Sequence, residues 1–194
     1  MGARAGLDRA AVVLAAARLA DRDGLEAVTL AVLAADLGVR PPSLYNHVAG
    51  QEGLRRALAL HGLKELTARI GRAAVGKSGD AALLALAHAY RAYAGEHPGV
   101  YVATLRAPDT ADAELTAAGD ELLAIVRAVL AGYGLDGDDA LHAVRGLRSV
   151  LHGFVALEAL GGFGLPLDRD ESFARLLDMF IAGLHRRAGV RAAT

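Results

Sequence analysis

Apolar residues recur along most of this chain at intervals of three and four positions, the spacing that places side chains on one face of an α-helix. An early stripe contains Val12, Val13, Ala16, Leu19 and Ala20. The most regular stripe, near the end of the chain, contains Phe173, Leu176, Leu177, Phe180, Ile181 and Leu184. No segment alternates with the period of two that a half-buried strand requires. The pattern therefore predicts an all-α fold of about nine helices.

Capping residues, glycines and prolines indicate where these helices begin and end. Thr29 can cap a helix over residues 30–37, and Gly38 can end it. Pro41 and Pro42 suit the first turn of a short following helix, because that turn leaves its N–H groups unpaired in any case. Further helices are predicted over residues 51–70, 80–93, 98–108, 111–131, 138–160 and 173–184, with a glycine-containing loop at 71–79.

Residues 29–48 read TLAVLAADLGVRPPSLYNHV, a capped amphipathic helix, a tight glycine turn and a short second helix. This is the layout of a helix-turn-helix, whose second helix enters the major groove of DNA. The side chains expected to pack the unit together are Leu33, Ala34, Leu37, Val39 and Leu44. Residues 40–47, here called the recognition segment, carry hydrogen-bonding groups that suit phosphates and base edges. A plain helical hairpin has the same spacing, so the pattern alone leaves both alternatives open.

Residues 19–54 resemble the DNA-binding head of the TetR family of one-component repressors. The LGV turn at residues 37–39 and the SLYNHV run at 43–48 carry the resemblance. In that family the threonine that begins the second helix and the recognition segment touch DNA. The resemblance thus implies DNA contacts by Thr29, Arg40, Pro41, Pro42, Ser43, Tyr45, Asn46 and His47. It implies a three-helix head within an all-α regulator.

The resemblance also assigns roles within this set. Tyr45 and His47 are expected mainly to hold phosphates, whereas base reading is expected from Arg40, Pro42, Ser43 and Asn46. One position departs from the family pattern, because Gln51 stands where many members have a lysine. The loss of one phosphate contact would lower DNA affinity and its dependence on salt.

Residues 145–184 resemble the regulatory domain of a TetR subgroup named for a Trp-His-Gly signature. The signature here reads Leu151-His152-Gly153, so the tryptophan is absent. In the wider family the last two helices pair with their copies, and a homodimer lets two heads read a palindromic operator. The predicted dimer interface contains Phe154, Phe173, Leu177, Phe180 and Leu184. From the pattern alone, an intrachain core explains these stripes equally well.

The middle helices are expected to enclose a pocket for a small, mainly hydrophobic effector. The candidate lining residues are His88, Tyr93, Tyr101, Thr104, Arg148, His152 and Phe154, although packing is the stronger alternative for each one singly. The working hypothesis is a ligand-released repressor, in which the effector shifts the helix over residues 51–70 and spreads the two heads. The predicted domains are residues 1–50 for DNA binding and residues 51–194 for ligand binding and dimerisation.

Composition and charge change this picture little. The net charge is −1, but residues 1–72 hold ten Lys or Arg against seven Asp or Glu, a balance of +3 that permits DNA binding. The absence of cysteine excludes disulfides and thiolate metal sites. Apolar runs are shorter than the roughly 18 residues of a membrane span, and the first residues do not read as a signal peptide. We therefore expect a cytoplasmic protein with no membrane partner.

Residues 71–78, GRAAVGKS, satisfy a phosphate-loop pattern and supply the main alternative, a helical nucleotide-binding protein or enzyme. That loop works after a strand, and the residues before it are predicted to be helical. The seven histidines lack the four-residue spacing of a helical metal site. We therefore expect no enzyme activity, no catalytic residues, no metal and no cofactor. A dimeric interaction protein with an inactive head is the third alternative.

Overall fold

The computed structural model describes residues 7–106 and 111–192, with side chains up to residue 187. Within these residues all regular structure is helical, which confirms the predicted all-α fold. The α-helices are α1 Arg9–Asp23, α2 Leu30–Asp36, α3 Gly50–Ala74, α4 Gly79–Glu96, α5 Pro98–Ala103, α6 Ala113–Ala131, α7 Gly137–Ala159 and α8 Arg169–Ala192. Two short 3-10 helices lie at Leu25–Ala27 and Pro41–Asn46.

Several predicted helix bounds differ from the observed ones. The helix predicted to end at residue 93 ends at Glu96, and the stripe over 173–184 lies within the longer helix Arg169–Ala192. The helix that starts at residue 50 does not end at Ile70 but continues through Gly71 to Ala74, because one interior glycine costs a helix only about 1 kcal/mol. Gly76, with φ +72°, follows shortly after its end. The helix predicted over 98–108 ends at Ala103, and residues 107–110 lie outside the described ones.

The described chain packs into two compact units. One contains the residues up to Glu65 together with Glu96–Gly119, and the other contains Leu66–Gly95 together with the residues from Asp120 onward. The packing boundary therefore falls inside α3 and inside α6. The predicted functional boundary at residue 50 is a different kind of division and stays a prediction.

The first unit is built on apolar side chains from α1, α2, the recognition segment, α3 and α5. Its fully or nearly fully buried members are Val12, Ala15, Ala16, Leu19, Ala20, Val28, Leu33, Ala34, Leu44, Leu54, Leu58 and Val100. The α1 members follow the helical stripe read from the sequence. Val100 comes from α5, which adds a later part of the chain to the core of the N-terminal head.

The junction between α1 and α5 depends on Asp21. Its Oδ1 accepts hydrogen bonds from the backbone N–H groups of Gly99 at 3.0 Å and Val100 at 2.9 Å, and His97 Nδ1 lies 2.9 Å from Oδ2. Because the first turn of a helix has unpaired N–H groups, a carboxylate from another helix can cap it. A Cβ on Gly99 would overlap the backbone carbonyl of Ala20. Glycine is therefore required at residue 99 for the two helices to approach this closely.

The second unit contains a cationic side chain stacked on aromatic rings. The Arg91 guanidinium lies 5.2 Å from the ring centre of Phe154 and 4.8 Å from that of Phe173. It donates hydrogen bonds to both carboxylate oxygens of Glu158, at 2.9 and 2.6 Å. These bonds, more than any other contact, hold the pKa of Glu158 below its ordinary value. The arrangement joins α4 to α7 and α8 with a charge-assisted bond over an aromatic base.

We expect Gly99→Ala to lower the free energy of unfolding by about 1–3 kcal/mol, because the added methyl group meets backbone that cannot move aside cheaply. Urea unfolding followed by circular dichroism measures the change. Gly95→Ala is the matched control, since a Cβ there meets no atom within 4 Å and alanine is the better helix former. Equal destabilisation by both substitutions would contradict the close approach at Gly99.

We expect Glu158→Gln to lower the free energy of unfolding by about 1–3 kcal/mol near pH 7, because Arg91 would keep only the exposed Asp170, 2.8 Å away, as a charged partner. A carboxylate with a lowered folded-state pKa stabilises above its unfolded value and loses that effect as the pH falls through the folded one. The gap between wild type and variant should therefore shrink below about pH 4.5, the ordinary pKa of Glu158.

Thermal unfolding at several pH values measures this gap. Glu121→Gln is the control, because Glu121 is exposed and has no ion-pair partner among the described residues. A gap for Glu158→Gln that does not change with pH would contradict the ion pair as its source.

Candidate nucleic-acid interface

The candidate interface starts at α2, whose first turn is capped by its own sequence. Thr29 precedes the helix with an extended backbone, and its Oγ1 accepts a hydrogen bond from the N–H of Val32 at 3.2 Å. Leu33 and Ala34 on the inner face are buried. The helix is thus fixed on the core of the first unit, and Thr29 is exposed beside it.

A Schellman motif ends α2 and turns the chain. The N–H of Val39 donates to the carbonyl of Ala34 at 2.9 Å, and the N–H of Gly38 donates to that of Ala35 at 3.1 Å. Gly38 has φ +66°, a left-handed conformation that glycine adopts without strain. The LGV residues of the sequence are therefore the cap, the left-handed position and the apolar residue after it.

The recognition segment contains a 3-10 helix, Pro41–Asn46, where an ordinary short α-helix was expected. The prolines offer no N–H for hydrogen bonding, and the N–H of Ser43 donates to Arg40 three residues back, at 2.9 Å. Leu44 is fully buried and anchors the segment on the core. The short helix is thus held by one side chain, and its other side chains face outward.

Most of the residues predicted to contact DNA are exposed. Tyr45 has 61% of its surface exposed, which is unusual for a large aromatic residue that has no partner to cover it. Only His47 is half-buried. The exposed members are Thr29, Arg40, Pro41, Pro42, Ser43, Tyr45 and Asn46. Their roles on DNA stay predictions, but the structure places all eight in the first unit.

Gln51 has a role that sequence reasoning missed. Its Oε1 accepts from the N–H of Leu30 at 3.2 Å, and its Nε2 donates to the carbonyl of Val28 at 2.6 Å. The side-chain amide thus bonds to the backbone on both sides of Thr29. A lysine has no acceptor and could make only the second of these bonds. The amide at residue 51 positions the start of α2.

The charges around the head are partly matched and partly free. Arg55 Nη2 lies 2.7 Å from Glu26 Oε2, and Arg22 pairs with Asp23 at 2.9 Å. Arg40 has no ion-pair partner among the described residues, and its side chain is exposed. Because its charge is not neutralised within the chain, Arg40 is available to a phosphate or a base edge.

The seven predicted ligand-binding residues are divided between the two units. Tyr101 and Thr104 are in the first unit, and Thr104 Oγ1 donates to the carbonyl of Tyr101 at 2.7 Å. Of the seven, only Thr104 lines the cavity of about 810 Å³ in that unit. The other five belong to the second unit: His88, Tyr93, Arg148, His152 and Phe154. Their ligand roles stay predictions.

Four of the five side chains predicted for the dimer interface are covered by their own chain. Phe154, Phe173, Leu177 and Leu184 are at most 7% exposed, because α7 and α8 pack on α4 and on each other; Phe180 is half-buried. The alternative of an intrachain core describes these four. A partially exposed apolar stripe does exist on the same helices. It contains Gly146, Val150, Gly153 and Leu157 of α7 with Leu176, Met179, Phe180 and Gly183 of α8.

The GRAAVGKS segment does not form a phosphate cradle. Gly71–Ala74 belong to α3, so their N–H groups are oriented along a helix, and Lys77 Nζ donates to the carbonyl of Ala73 at 2.9 Å. In the described ranges no three His, Asp or Glu side chains are grouped in a way that suits a metal ion. None of the helices described is both long and apolar enough to cross a membrane.

Comparisons with known proteins agree on one family. Residues 83–180 match the family model described as tetracyclin repressor-like, C-terminal domain. The chain is 41% identical over 184 residues to the uncharacterized HTH-type transcriptional regulator Rv0681 of Mycobacterium tuberculosis, covering 94% of this chain and 84% of that protein. It is 40% identical over 185 residues to the uncharacterized HTH-type transcriptional regulator YobS of Bacillus subtilis, covering 95% and 96%.

A solved structure also has the same fold. It is described as a protein with unknown function from Rhodococcus sp. RHA1, with a TM-score of 0.79, 25% identity, and coverage of 95% of this chain and 99% of that one. The finer likeness of residues 145–184 to the Trp-His-Gly subgroup stays a prediction.

We expect Gln51→Ala to lower the free energy of unfolding by about 1–2 kcal/mol, and Gln51→Glu to lower it further, because a carboxylate would face the Val28 carbonyl. Urea unfolding measures both. Glu52→Gln is the control at the next residue, which is exposed. If the Gln51 variants and the control have the same free energy of unfolding, the amide hydrogen bonds do not stabilise the fold.

Proposed function

Because the chain belongs to the TetR family of helix-turn-helix transcriptional regulators, we propose that it is a homodimeric repressor released from a palindromic operator by a small molecule. The observation that supports this best is the exposed recognition segment, held on the core by Leu44. Regulators of this family act on double-stranded DNA, and we propose a cytoplasmic location for that reason. The effector is a small, mainly hydrophobic molecule.

The head reads DNA through a small number of side chains. Arg40 and Asn46 have the planar hydrogen-bonding groups that pair with guanine and adenine edges, and Ser43 can bond to either. Thr29, Tyr45 and His47 hold phosphates and fix the orientation of the segment. Pro42 makes an apolar contact with a base edge, and Pro41 fills the space beside it. Such a short segment contacts few base pairs, so specificity requires two heads.

The dimer forms through the partially exposed stripe on α7 and α8. Gly153 and Gly183 leave room for a partner helix, and Leu157 and Met179 are 50% and 65% exposed. Burying such side chains against a second copy is favourable by roughly 25 cal/mol for each Å² of apolar surface. The proposed dimer interface therefore consists of exposed residues of α7 and α8 in place of the buried Phe154, Phe173, Leu177 and Leu184.

Release follows from differential binding. An effector that binds the spread form of the dimer more tightly than the operator-bound form shifts the population toward the spread form. The helix that carries this change is α3, which begins at Gly50, directly after the recognition segment, and continues without a break to Ala74. A rigid helix transmits a displacement that a flexible linker would absorb.

Operator binding tests the proposal. We expect selection from random duplexes to return a palindrome with half-sites about one DNA turn apart, and a salt-sensitive gel shift on the selected duplex. Asn46→Ala should weaken binding at least about fivefold, because the variant loses one base contact worth about 1–3 kcal/mol.

Met179→Glu should give monomers in sedimentation and lose operator binding, because a charge would enter the dimer interface.

Val75→Glu is the control for the second variant. Val75 is 75% exposed and lies just after α3, outside the proposed stripe, so the variant should remain dimeric and bind the operator. Selection without any sequence preference would overturn DNA recognition. Dimers that survive Met179→Glu would overturn the assigned interface.

A further inference from the structure

The cavity of about 810 Å³ in the first unit is not explained by DNA binding. Its wall is mainly apolar, with Leu25, Leu63, Val102 and Leu115 among its residues. Three arginines and two carboxylates complete it, and all of these residues belong to the same compact unit. The volume is in the range of small-molecule sites.

We propose that this cavity is an effector site for an anionic amphiphile, a molecule with one carboxylate-like group and an apolar body. The inference rests on the proposed function and deepens it, because it names the effector's chemical class and its place. The predicted effector was a mainly hydrophobic molecule bound by other residues. Of the lining residues predicted from the sequence, only Thr104 belongs to this wall.

The charges of the wall favour one negative group. Arg56 is already matched, since its Nη2 donates to Asp112 Oδ1 at 2.7 Å and to Glu114 Oε2 at 3.1 Å. Arg55 of the wall is paired through Nη2 with Glu26, which lies outside the wall. Arg106 and Glu52 are therefore the charged residues of the wall that have no ion-pair partner among the described residues. Arg106 can pair with one negative group of a ligand, whereas a multiply charged anion would leave charge unmatched.

Two donors are placed to bind that group. Arg106 is exposed and has no ion-pair partner among the described residues. Arg55 uses Nη2 for Glu26, but its Nε–H is buried and makes no hydrogen bond. A buried donor without an acceptor costs free energy, so a ligand that accepts from this Nε–H would be favoured. The Arg55 side chain is 41% exposed and can therefore rotate to direct its Nε–H toward a ligand. An anion in the cavity would satisfy both guanidinium groups.

The position of the cavity connects it with the DNA head. Ala49 and Gly53 in its wall follow the recognition segment by a few residues, and Leu25 lies in the turn between α1 and α2. An occupant therefore contacts the first turn of α3, directly after the segment that reads DNA. A bound effector that displaces the first turn of α3 would therefore also displace the adjacent recognition segment.

Isothermal titration calorimetry on the full chain without DNA tests the site, with decanoate, 1-decanol and decyltrimethylammonium as matched probes. We expect one decanoate per chain, with at least about tenfold weaker binding of the alcohol and the cation, because charge-assisted bonds are lost. Arg106→Gln should weaken decanoate at least about tenfold and leave the alcohol nearly unchanged. Ala59→Trp, which fills the cavity, should weaken both.

Arg127→Gln is the control, because Arg127 is an exposed cation on α6 outside the cavity. This variant should bind all three probes with the affinity of the wild-type protein. Glu26→Gln removes the ion pair of Arg55 without touching the wall, and decanoate binding should persist or tighten. Equal affinity for decanoate and decanol, or decanoate binding unaffected by both Arg106→Gln and Ala59→Trp, would overturn the proposal.

Operator release gives the second readout. Decanoate should dissociate the selected duplex from wild type, and Arg106→Gln should require at least about tenfold more of it. Tight decanoate binding without release would overturn the effector role. A chain that binds no operator in the absence of ligand would instead contradict the proposed function, and the calorimetry would still decide the chemistry of the cavity.

Discussion

The carboxylate of Asp21 joins parts of the first unit that are far apart in the chain. By accepting the N–H groups of Gly99 and Val100, it fixes α5 against the end of α1. That contact brings Val100 into the core of the head and places Val102 and Thr104 in the wall of the cavity. Gly62 of α3 allows the same close packing from the other side, since a Cβ there would come within 2.8 Å of Val100 and Thr104. The head and the candidate effector site therefore depend on one helix cap.

Contacts between residues close together in the chain could be predicted from the sequence, whereas hydrogen bonds between residues far apart in the chain could not. The LGV turn could be identified because a Schellman motif involves only neighbouring residues, and the buried and exposed sides of α2 follow from helical spacing. The Gln51 amide bonds to Val28 and Leu30, 23 and 21 residues away. Polar groups carry no periodic signal that identifies such a partner. The 3-10 form of the recognition segment was signalled by its two prolines, but α-helix was the simpler expectation.

Apolar stripes show that a face is covered without showing what covers it. Phe154 and Phe173 were read as a dimer surface, yet their rings lie 4.8 Å apart within one chain and contact Arg91. An arginine is normally assigned to the surface, so the stacking of Arg91 over two aromatic rings could not be read from spacing. The same helices keep Met179 and Leu157 exposed. Only the three-dimensional packing separated the two sets.

The 3-10 geometry of the recognition segment sets how its side chains meet a groove. With three residues per turn and about 2.0 Å rise per residue, side chains three apart are eclipsed, so Ser43 and Asn46 form one row and Pro42 and Tyr45 another. Members of a row are separated by about 6 Å along the axis, close to two base steps of about 3.4 Å each. If this axis lies along the groove, the two members of a row face positions about two base steps apart, so direct contacts fall on alternate base pairs.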